Sequence, residues 1–475
     1  MELLDSCLSR IADVNPALNA MVTLAAESAR EEATRVADDV VGGRPLAALA
    51  GLPVAIKDLQ PTAGIVTTYG SERYADNVPA ADAGIVVRAR AAGAVVVGKT
   101  NIPEMSIGAN TVNRLFGATG NPFDPDLTCG GSSGGSAVAL ASGMVPLATG
   151  SDHGGSLRIP ASYCGVVGHR ASPGLVPHEL RTISQTNYSL QGPMGRTVSD
   201  AALLLSAIAA RDRSSRRDPM AFPVDAARFA ELDEVDVTTL RIGVSADLGG
   251  VLVSEQVRRV FGTRVKEIAA LVGEVVEVPV DLTAASDVDW RLRADVFATQ
   301  YHRDVEDGLF DEGFNPNVIA TYEKALTTSV LDIARARRTQ MEMYQSFDEV
   351  FDQVDVVICP GVSVPPFPWR DLHPRQIDGE PVDNYMAWLA LSASLTVVGT
   401  PVTALPVGLD EHGTPFGVQL VGPMHSDHRL LSIAAGLEAV FSESPTLRRP
   451  VADIGALVGR ETTCRTEGRS VQLGV

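Results

Sequence analysis

Two glycine–serine turns are the first feature of this chain that suggests chemistry. Ser132 lies in the run GGSSGG, and Ser156 follows Gly154 and Gly155, 24 residues later. Glycine permits tight backbone turns, and the first amides of a following helix have no acceptor within that helix. Such amides stabilise the oxyanion that forms when a hydroxyl attacks a carbonyl group. The pattern favours nucleophilic catalysis by serine, although spacing alone does not choose between Ser132 and its neighbour Ser133.

Lysine is scarce in this chain, and this scarcity points to a base. Only four of the 39 basic residues are lysines, namely Lys57, Lys99, Lys266 and Lys324. Arginine stays charged, whereas a buried lysine can lose its proton. Lys266 and Lys324 fall in polar helical patterns and are predicted at the surface. Lys57 ends an apolar run, so it is the candidate general base, provided that burial or positive potential lowers its pKa from about 10.4.

The elements around Lys57 predict a parallel or mixed sheet. Residues 1–45 carry apolar residues at helical spacing and predict one or two amphipathic helices. Apolar runs at 51–56 and 94–98 predict buried strands, and a helical pattern at 80–92 lies between them. This β-α-β order is typical of α/β folds.

A long loop at 108–135 leads into the first serine turn, and its length suggests a functional role. A small-residue helix at 136–142 and a strand near 145–149 follow, and a polar connector is expected at 211–218. Further patterns predict helices at 198–210, 255–271, 318–346 and 427–441 and strands at 241–245, 274–278, 355–359 and 415–421.

Composition narrows the class of protein. The net charge of −19 would repel nucleic acid and anionic membranes, so we expect neither as a partner. No window is long and apolar enough for a membrane span, and the N-terminus lacks the apolar region of a secretory signal, so a cytoplasmic location is expected. The five cysteines have no paired spacing that would indicate disulfides or zinc.

Residues 130–168, GGSSGGSAVALASGMVPLATGSDHGGSLRIPASYCGVVG, resemble the amidase signature family. The segments LPVAIKD, GKTNIPEMS, CPGVSVPPFP and GTPVTALPVG extend the resemblance over most of the chain. The resemblance implies an α/β fold with a large mixed central sheet flanked by helices on both faces. It also implies a single amidase domain over 1–475, comprising an N-terminal helical segment 1–50, a signature core 51–210, the remaining sheet and cleft loops 241–459, and a tail 460–475.

The family's catalytic roles carry over to named residues. Ser156 becomes the nucleophile, Ser132 the bridging serine after a cis peptide bond, and Lys57 the general base and later the general acid. The backbone amides of His153, Gly154, Gly155 and Ser156 become the oxyanion hole.

Other positions of the motif take supporting roles by the same resemblance. Asp152 and Arg158 are expected to form a charged pair that fixes the turn. Substrate contacts are expected at Gly130, Gly131, Ser133 and Tyr163. No metal or cofactor is implied.

The predicted reaction is hydrolysis of a carbon–nitrogen amide bond through an acyl-serine intermediate. Few charges near the motif suggest a small neutral substrate, and amides, anilides, carbamates (a urethanase activity) and esters all remain open. The expected partners are this substrate and water, and a homodimer is left open. Trp369, Phe367, Tyr163 and Tyr301 are candidates for the pocket wall, although each could equally belong to the core.

Two positions depart from the family pattern. His153 stands where a small, β-branched or hydroxyl residue is usual, and His169-Arg170-Ala171 replaces Leu-Lys-Pro. Two interpretations of His153 stay open: a loop residue that contributes only its backbone, or a ring that lines the substrate pocket.

Three alternative functions compete with this interpretation. Ser133 also fits a Gly-x-Ser-x-Gly nucleophile elbow, but the turn-rich residues 121–126 precede it where a strand is required. His425 and His428 suggest a metal site but lack a third ligand. An amidotransferase subunit that works with a tRNA-binding partner usually carries Gln where Pro160 stands, whereas Ile-Pro is common in stand-alone amidases.

Overall fold

A computed structural model describes residues 1–209, 212, 214–311, 313–382 and 384–469. Its helices are α1 (Glu2–Leu18), α2 (Ala26–Val41), α3 (Gly84–Ala91), α4 (Gly134–Ala141), α5 (Arg158–Cys164), α6 (Val198–Ile208), α7 (Glu255–Ala269), α8 (Ala285–Gln300), α9 (His302–Glu306), α10 (Pro316–Thr327), α11 (Val330–Asp348), α12 (Ala390–Val398) and α13 (Asp427–Ser442). Its strands are β1 (Met21–Leu24), β2 (Pro53–Lys57), β3 (Val95–Thr100), β4 (Val112–Asn113), β5 (Gly117–Ala118), β6 (Leu147–Asp152), β7 (Val167–Arg170), β8 (Leu190–Gly195), β9 (Arg241–Val244), β10 (Glu274–Glu277), β11 (Val356–Pro360), β12 (Gln376–Ile377), β13 (Glu380–Pro381), β14 (Val402–Leu409) and β15 (Pro415–Val421).

Eleven of the strands in the described residues form one mixed sheet, in the order β1-β3-β2-β6-β8-β7-β14-β15-β11-β9-β10. Strand β2 pairs parallel to both β3 and β6, and β9 pairs parallel to β10 and β11. The predicted mixed sheet is confirmed, and it places the end of β2 beside β6.

Alternation along the central strands builds a core on each face of the sheet. In β2, Val54 and Ile56 pack into one hydrophobic cluster with α3, α6 and α13, while Ala55 packs into another with α1 and α4. Successive strand residues point to opposite faces, so strands that are apolar throughout are covered on both sides. Helices on both faces of the sheet are therefore confirmed.

Two predicted elements differ in the structure. The pattern at 318–346 predicted one helix, but α10 ends at Thr327 and α11 begins at Val330, because Ser329 and Asp332 form a capping box that starts a new helix. The N-terminal 1–45 segment contains the two expected helices, with strand β1 between them.

Part of the expected tail is packed against the body of the protein. Cys464 is buried with Val112, Ala118 and Trp369, and the amide of Ala118 donates to the carbonyl oxygen of Cys464 at 2.8 Å. Residues 470–475 of that tail, and 210, 211 and 213 at the connector, lie outside the described residues. Among the helices that are described, none is long and apolar enough to cross a membrane.

Candidate active site

Lys57 ends strand β2 and is fully buried, as the sequence predicted. Its Nζ lies 2.8 Å from Ser132 Oγ and 2.8 Å from Ser151 Oγ. Burial lowers the pKa of Lys57 to about 7, and the Asp152 carboxylate opposes this shift. A lysine with this pKa is substantially neutral at pH 7 and can accept a proton from a neighbouring hydroxyl.

Glycines bring the turn that carries Ser132 close to its neighbours. The peptide bond between Gly131 and Ser132 is cis, as the resemblance implied. A Cβ at Gly134, the first residue of α4, would lie 2.2 Å from Thr111 Oγ1, and one at Gly135 would lie 2.4 Å from the amide nitrogen of Asn101. A larger residue at Gly134 would displace the side chains of Thr111 and Cys129, and one at Gly135 would displace backbone atoms, so both glycines permit the close packing of the helix that follows Ser132.

The second turn lies directly against the first. The amide of Ser133 donates to the carbonyl oxygen of Ser156 at 3.2 Å, which joins the two turns through the backbone. Ser156 retains 8% of its surface exposed, and its hydroxyl has no hydrogen-bond partner in the part of the chain that is described. The two serine turns are therefore adjacent, and the Ser156 hydroxyl is unengaged; among the described residues, Ser132 lines the neighbouring cavity and Ser156 does not.

One of the four predicted oxyanion donors is already occupied. The amide of Gly155 donates to Asp152 Oδ1 at 2.9 Å, because the carboxylate folds back under the turn. The prediction for Gly155 is therefore corrected. Within the described ranges, the amides of His153, Gly154 and Ser156 have no acceptor, so these three remain available to a developing negative charge.

Asp152 and Arg158 form the expected pair, and Arg170 completes it. Arg158 Nη2 lies 3.0 Å and Arg170 Nη1 3.1 Å from Asp152 Oδ1, with all three side chains fully buried. Burial alone would raise the pKa of Asp152, but the two guanidinium groups and the Gly155 amide hold it far below its usual range. The role of Arg170 was missed, although its departure from the family pattern was the available signal.

A cavity of about 460 Å³ opens beside these turns, and Ser132, Ser151 and His153 lie in its wall. The His153 ring packs on Tyr188 with centroids 4.8 Å apart, and its Nδ1 lies 2.9 Å from Ser189 Oγ. Burial, followed by the charges of Arg293 and Arg170, lowers the pKa of His153 well below its ordinary value. Of the two interpretations of His153, a ring that lines the pocket is the one the structure bears out, and this ring is neutral.

The expected aromatic wall is only partly correct. Tyr301 lines the cavity, whereas Tyr163, Phe367 and Trp369 do not. Tyr163 is fully buried and its hydroxyl donates to the carbonyl oxygen of Val364 at 2.9 Å. The aromatic residues that line the cavity come mostly from distant segments, and they are Tyr69, Tyr74, Tyr188, Phe297, Tyr301 and Tyr385.

The other predicted substrate contacts lie behind the wall. Gly130 packs against Tyr163, and a Cβ at Gly131 would lie 2.9 Å from Thr111 Oγ1. The Ser133 hydroxyl is fully buried and lies 3.3 Å from both the amide and the carbonyl oxygen of Ser151. These residues shape the turn, and Ser133 is poorly placed to be the nucleophile of an elbow.

Ser151 is the site residue that the sequence reasoning missed. It lies in β6 directly opposite Gln191 of β8, and both residues line the cavity. Its position next to Asp152 placed it within the recognised motif, but its hydroxyl could only be assigned to Lys57 once β2 and β6 were known to be neighbours.

No group of three or more His, Cys, Asp or Glu side chains suited to a metal ion occurs among the described residues. The five cysteines are free and buried.

Known proteins resemble this chain in both sequence and fold. Residues 2–431 match the model of the Amidase family. Acylamidase of Rhodococcus erythropolis is 31% identical over 92% of this chain and 91% of its own length. A glutamyl-tRNA(Gln) amidotransferase subunit from a Cyanothece species is 32% identical over 92% of this chain and 94% of its own length.

Solved structures agree with this relationship. A bacterial aryl acylamidase of the amidase signature enzymes superposes with a TM-score of 0.84 at 27% identity, covering 100% of this chain and 95% of that one. A 6-aminohexanoate cyclic dimer hydrolase complexed with substrate superposes with a TM-score of 0.81 at 26% identity, covering 95% of each chain.

Proposed function

This chain belongs to the amidase signature family, and on that premise we propose that it hydrolyses a carbon–nitrogen amide bond of a small substrate, with Ser156 as nucleophile, Ser132 as bridge and Lys57 as base. The observation that carries the proposal is the contact of a buried Lys57 with Ser132. Lys57 Nζ lies 2.8 Å from Ser132 Oγ, and burial lowers the pKa of Lys57 to about 7. One amidase domain spanning 1–475 is part of the proposal.

Acylation begins with attack of Ser156 Oγ on the substrate carbonyl carbon. As the carbon–oxygen bond forms, Ser156 gives its proton to Ser132 Oγ, and Ser132 gives its own proton to Lys57 Nζ. The negative charge moves to the carbonyl oxygen, where the amides of His153, Gly154 and Ser156 can receive it. A donor of this kind is worth on the order of 100-fold in rate.

The attack produces a tetrahedral intermediate, and its collapse breaks the carbon–nitrogen bond. The proton on Lys57 returns through Ser132 to the departing nitrogen, so the leaving group departs as a neutral amine or ammonia. A water molecule then attacks the acyl-Ser156 ester along the reverse proton route. The carboxylic acid leaves, and Ser156 and Lys57 regain their starting protonation states.

A panel of amide, anilide, carbamate and ester substrates tests this function with the purified chain. We expect amine or ammonia release from at least one amide or anilide, and its loss in Ser156→Ala. Ser142→Ala is the matched control, because the Ser142 hydroxyl only bonds the carbonyl oxygen of Val138 in its own helix. Full activity in Ser156→Ala would refute the proposal.

A second candidate is the glutaminase part of an amidotransferase, which the 32% identity to the Cyanothece amidotransferase protein favours. Pro160, where the glutaminase members of the family usually carry Gln, argues for the stand-alone amidase. Glutamine hydrolysis that appears only when a partner protein is added would favour the second candidate.

A further inference from the structure

The charges that face the catalytic cavity differ from those of the whole chain. Acidic residues outnumber basic residues by 58 to 39 in the sequence. Among the described residues that line the cavity, none is Asp or Glu, while two are arginines, Arg181 and Arg293. The carboxylates that balance these arginines, Asp218 and Asp289, lie behind them and are only 2% and 1% exposed.

Each of the two arginines is paired with one buried carboxylate. Arg181 donates from Nη2 to Asp218 Oδ2 at 3.2 Å, and its Nε lies 2.9 Å from Asp218 Oδ1. Arg293 donates to Asp289 from Nε and Nη2 at 3.3 Å, with a third contact at 3.5 Å. What distinguishes the two guanidinium groups is therefore their position relative to the reacting centre.

Arg293 also lies beside the reacting centre. It projects from α8 against the second serine turn, where a Cβ at Gly154 would lie 2.6 Å from its Nη2. Gly154 contributes one of the free amides of the proposed oxyanion hole. An anionic group held by Arg293 would therefore be only a short chain away from the scissile carbonyl.

We propose that the substrate carries a carboxylate close to the scissile amide and that Arg293 binds this carboxylate. The inference rests on the proposed amide hydrolysis and names its substrate class. It replaces the expected neutral substrate. That expectation considered only the few charges near the motif, and Arg293 reaches the cavity from α8, which is far from the motif in sequence. A planar guanidinium matches a carboxylate better than an ammonium does.

Glutaric acid monoanilide and its methyl ester form the test pair, with butyranilide as a second neutral substrate. We expect kcat/KM to favour the acid over its ester by about 10- to 100-fold, mainly through KM, since hydrogen bonds to charged groups are worth about 1.5–3 kcal/mol. Arg293→Gln removes this preference, because it lowers kcat/KM for the acid far more than for its methyl ester or for butyranilide. Arg293→Lys restores only part of it.

Arg291→Gln is the matched control, because Arg291 lies on the same helix and pairs with Asp287 and Asp332 outside the cavity. If Arg293→Gln does not fold, competitive inhibition of the wild type decides: glutarate should inhibit more strongly than glutaramide. Equal rates on acid and ester, or a preference that Arg293→Gln retains, would overturn the inference. Failure of the proposed function would look different, since none of the three anilides would be cleaved.

Discussion

Lys57 Nζ and Ser151 Oγ lie 2.8 Å apart, on two parallel strands that pair directly. Lys57 therefore has two hydroxyl neighbours, and only one of them, Ser132, belongs to the proposed proton route. We expect the second contact to hold the amine in place while its proton moves. Substitutions at Ser151 test how the base is positioned, and substitutions at Lys57 test its role in proton transfer.

Ser151→Ala should lower kcat by about fivefold, because loss of one hydrogen bond costs about 1 kcal/mol and loosens the base. Ser151→Thr keeps the hydroxyl and should retain most of the activity. Steady-state kinetics of both variants provide the measurement, and the pH profile of the alanine variant shows whether the lysine has changed its environment. If both variants behave like the wild type, Ser151 has no positioning role.

The pH dependence of kcat/KM should follow Lys57. The neutral amine is the active form, and the pKa of Lys57 is about 7, so activity should increase as pH rises through about 7 and then level off. A rate profile from pH 5 to 11 at constant ionic strength measures this. A rising limb centred near pH 10 would show that Lys57 is not the group that controls the rate.

Lys57→Met should abolish activity yet stabilise the fold at low pH. The pKa of Lys57 is lowered in the folded state, so between about pH 7 and 10.5 the unfolded chain binds more protons, and the wild type gains stability as pH rises. The advantage of the methionine variant should therefore be largest below pH 7 and shrink as pH increases. Urea unfolding at pH 6 and pH 9 tests this, and a difference that does not change with pH would contradict it.

Asp152→Asn should destabilise the protein by about 3–5 kcal/mol, because two buried arginines would lose their counter-charge. The matched control is Glu342→Gln, since Glu342 pairs with Arg338 on an exposed helix surface and should change stability by less than about 0.5 kcal/mol. Chemical denaturation of both variants gives the comparison. Similar stabilities would show that the buried pair is not structurally important.

Residues with a recognisable context among their sequence neighbours could be predicted from the sequence. Ser156 and Lys57 could be proposed because a glycine turn and an isolated lysine after an apolar strand leave local signatures, whereas the choice of Ser132 over Ser133 came from the family resemblance. The start of α11 was also readable, since Ser329 and Asp332 form a capping-box pattern that was overlooked.

Other features depend on contacts between distant segments. Arg293 comes from α8, and nothing in its own segment indicates that it meets Gly154. The donation from Gly155 to Asp152 depends on the conformation of a single turn, which spacing does not specify. Tyr163 illustrates the reverse error, since its place in the motif suggested a substrate contact, whereas its hydroxyl is bonded inside the core.

The identity of the nucleophile is the central claim, and covalent labelling tests it most directly. The purified chain is treated with a fluorophosphonate, digested, and mapped by mass spectrometry, with Lys57→Ala as a control for activation. We predict a single label on Ser156, with labelling strongly slowed in the lysine variant near neutral pH. A label on Ser133 or Ser132, with Ser156 unmodified, would contradict the mechanism.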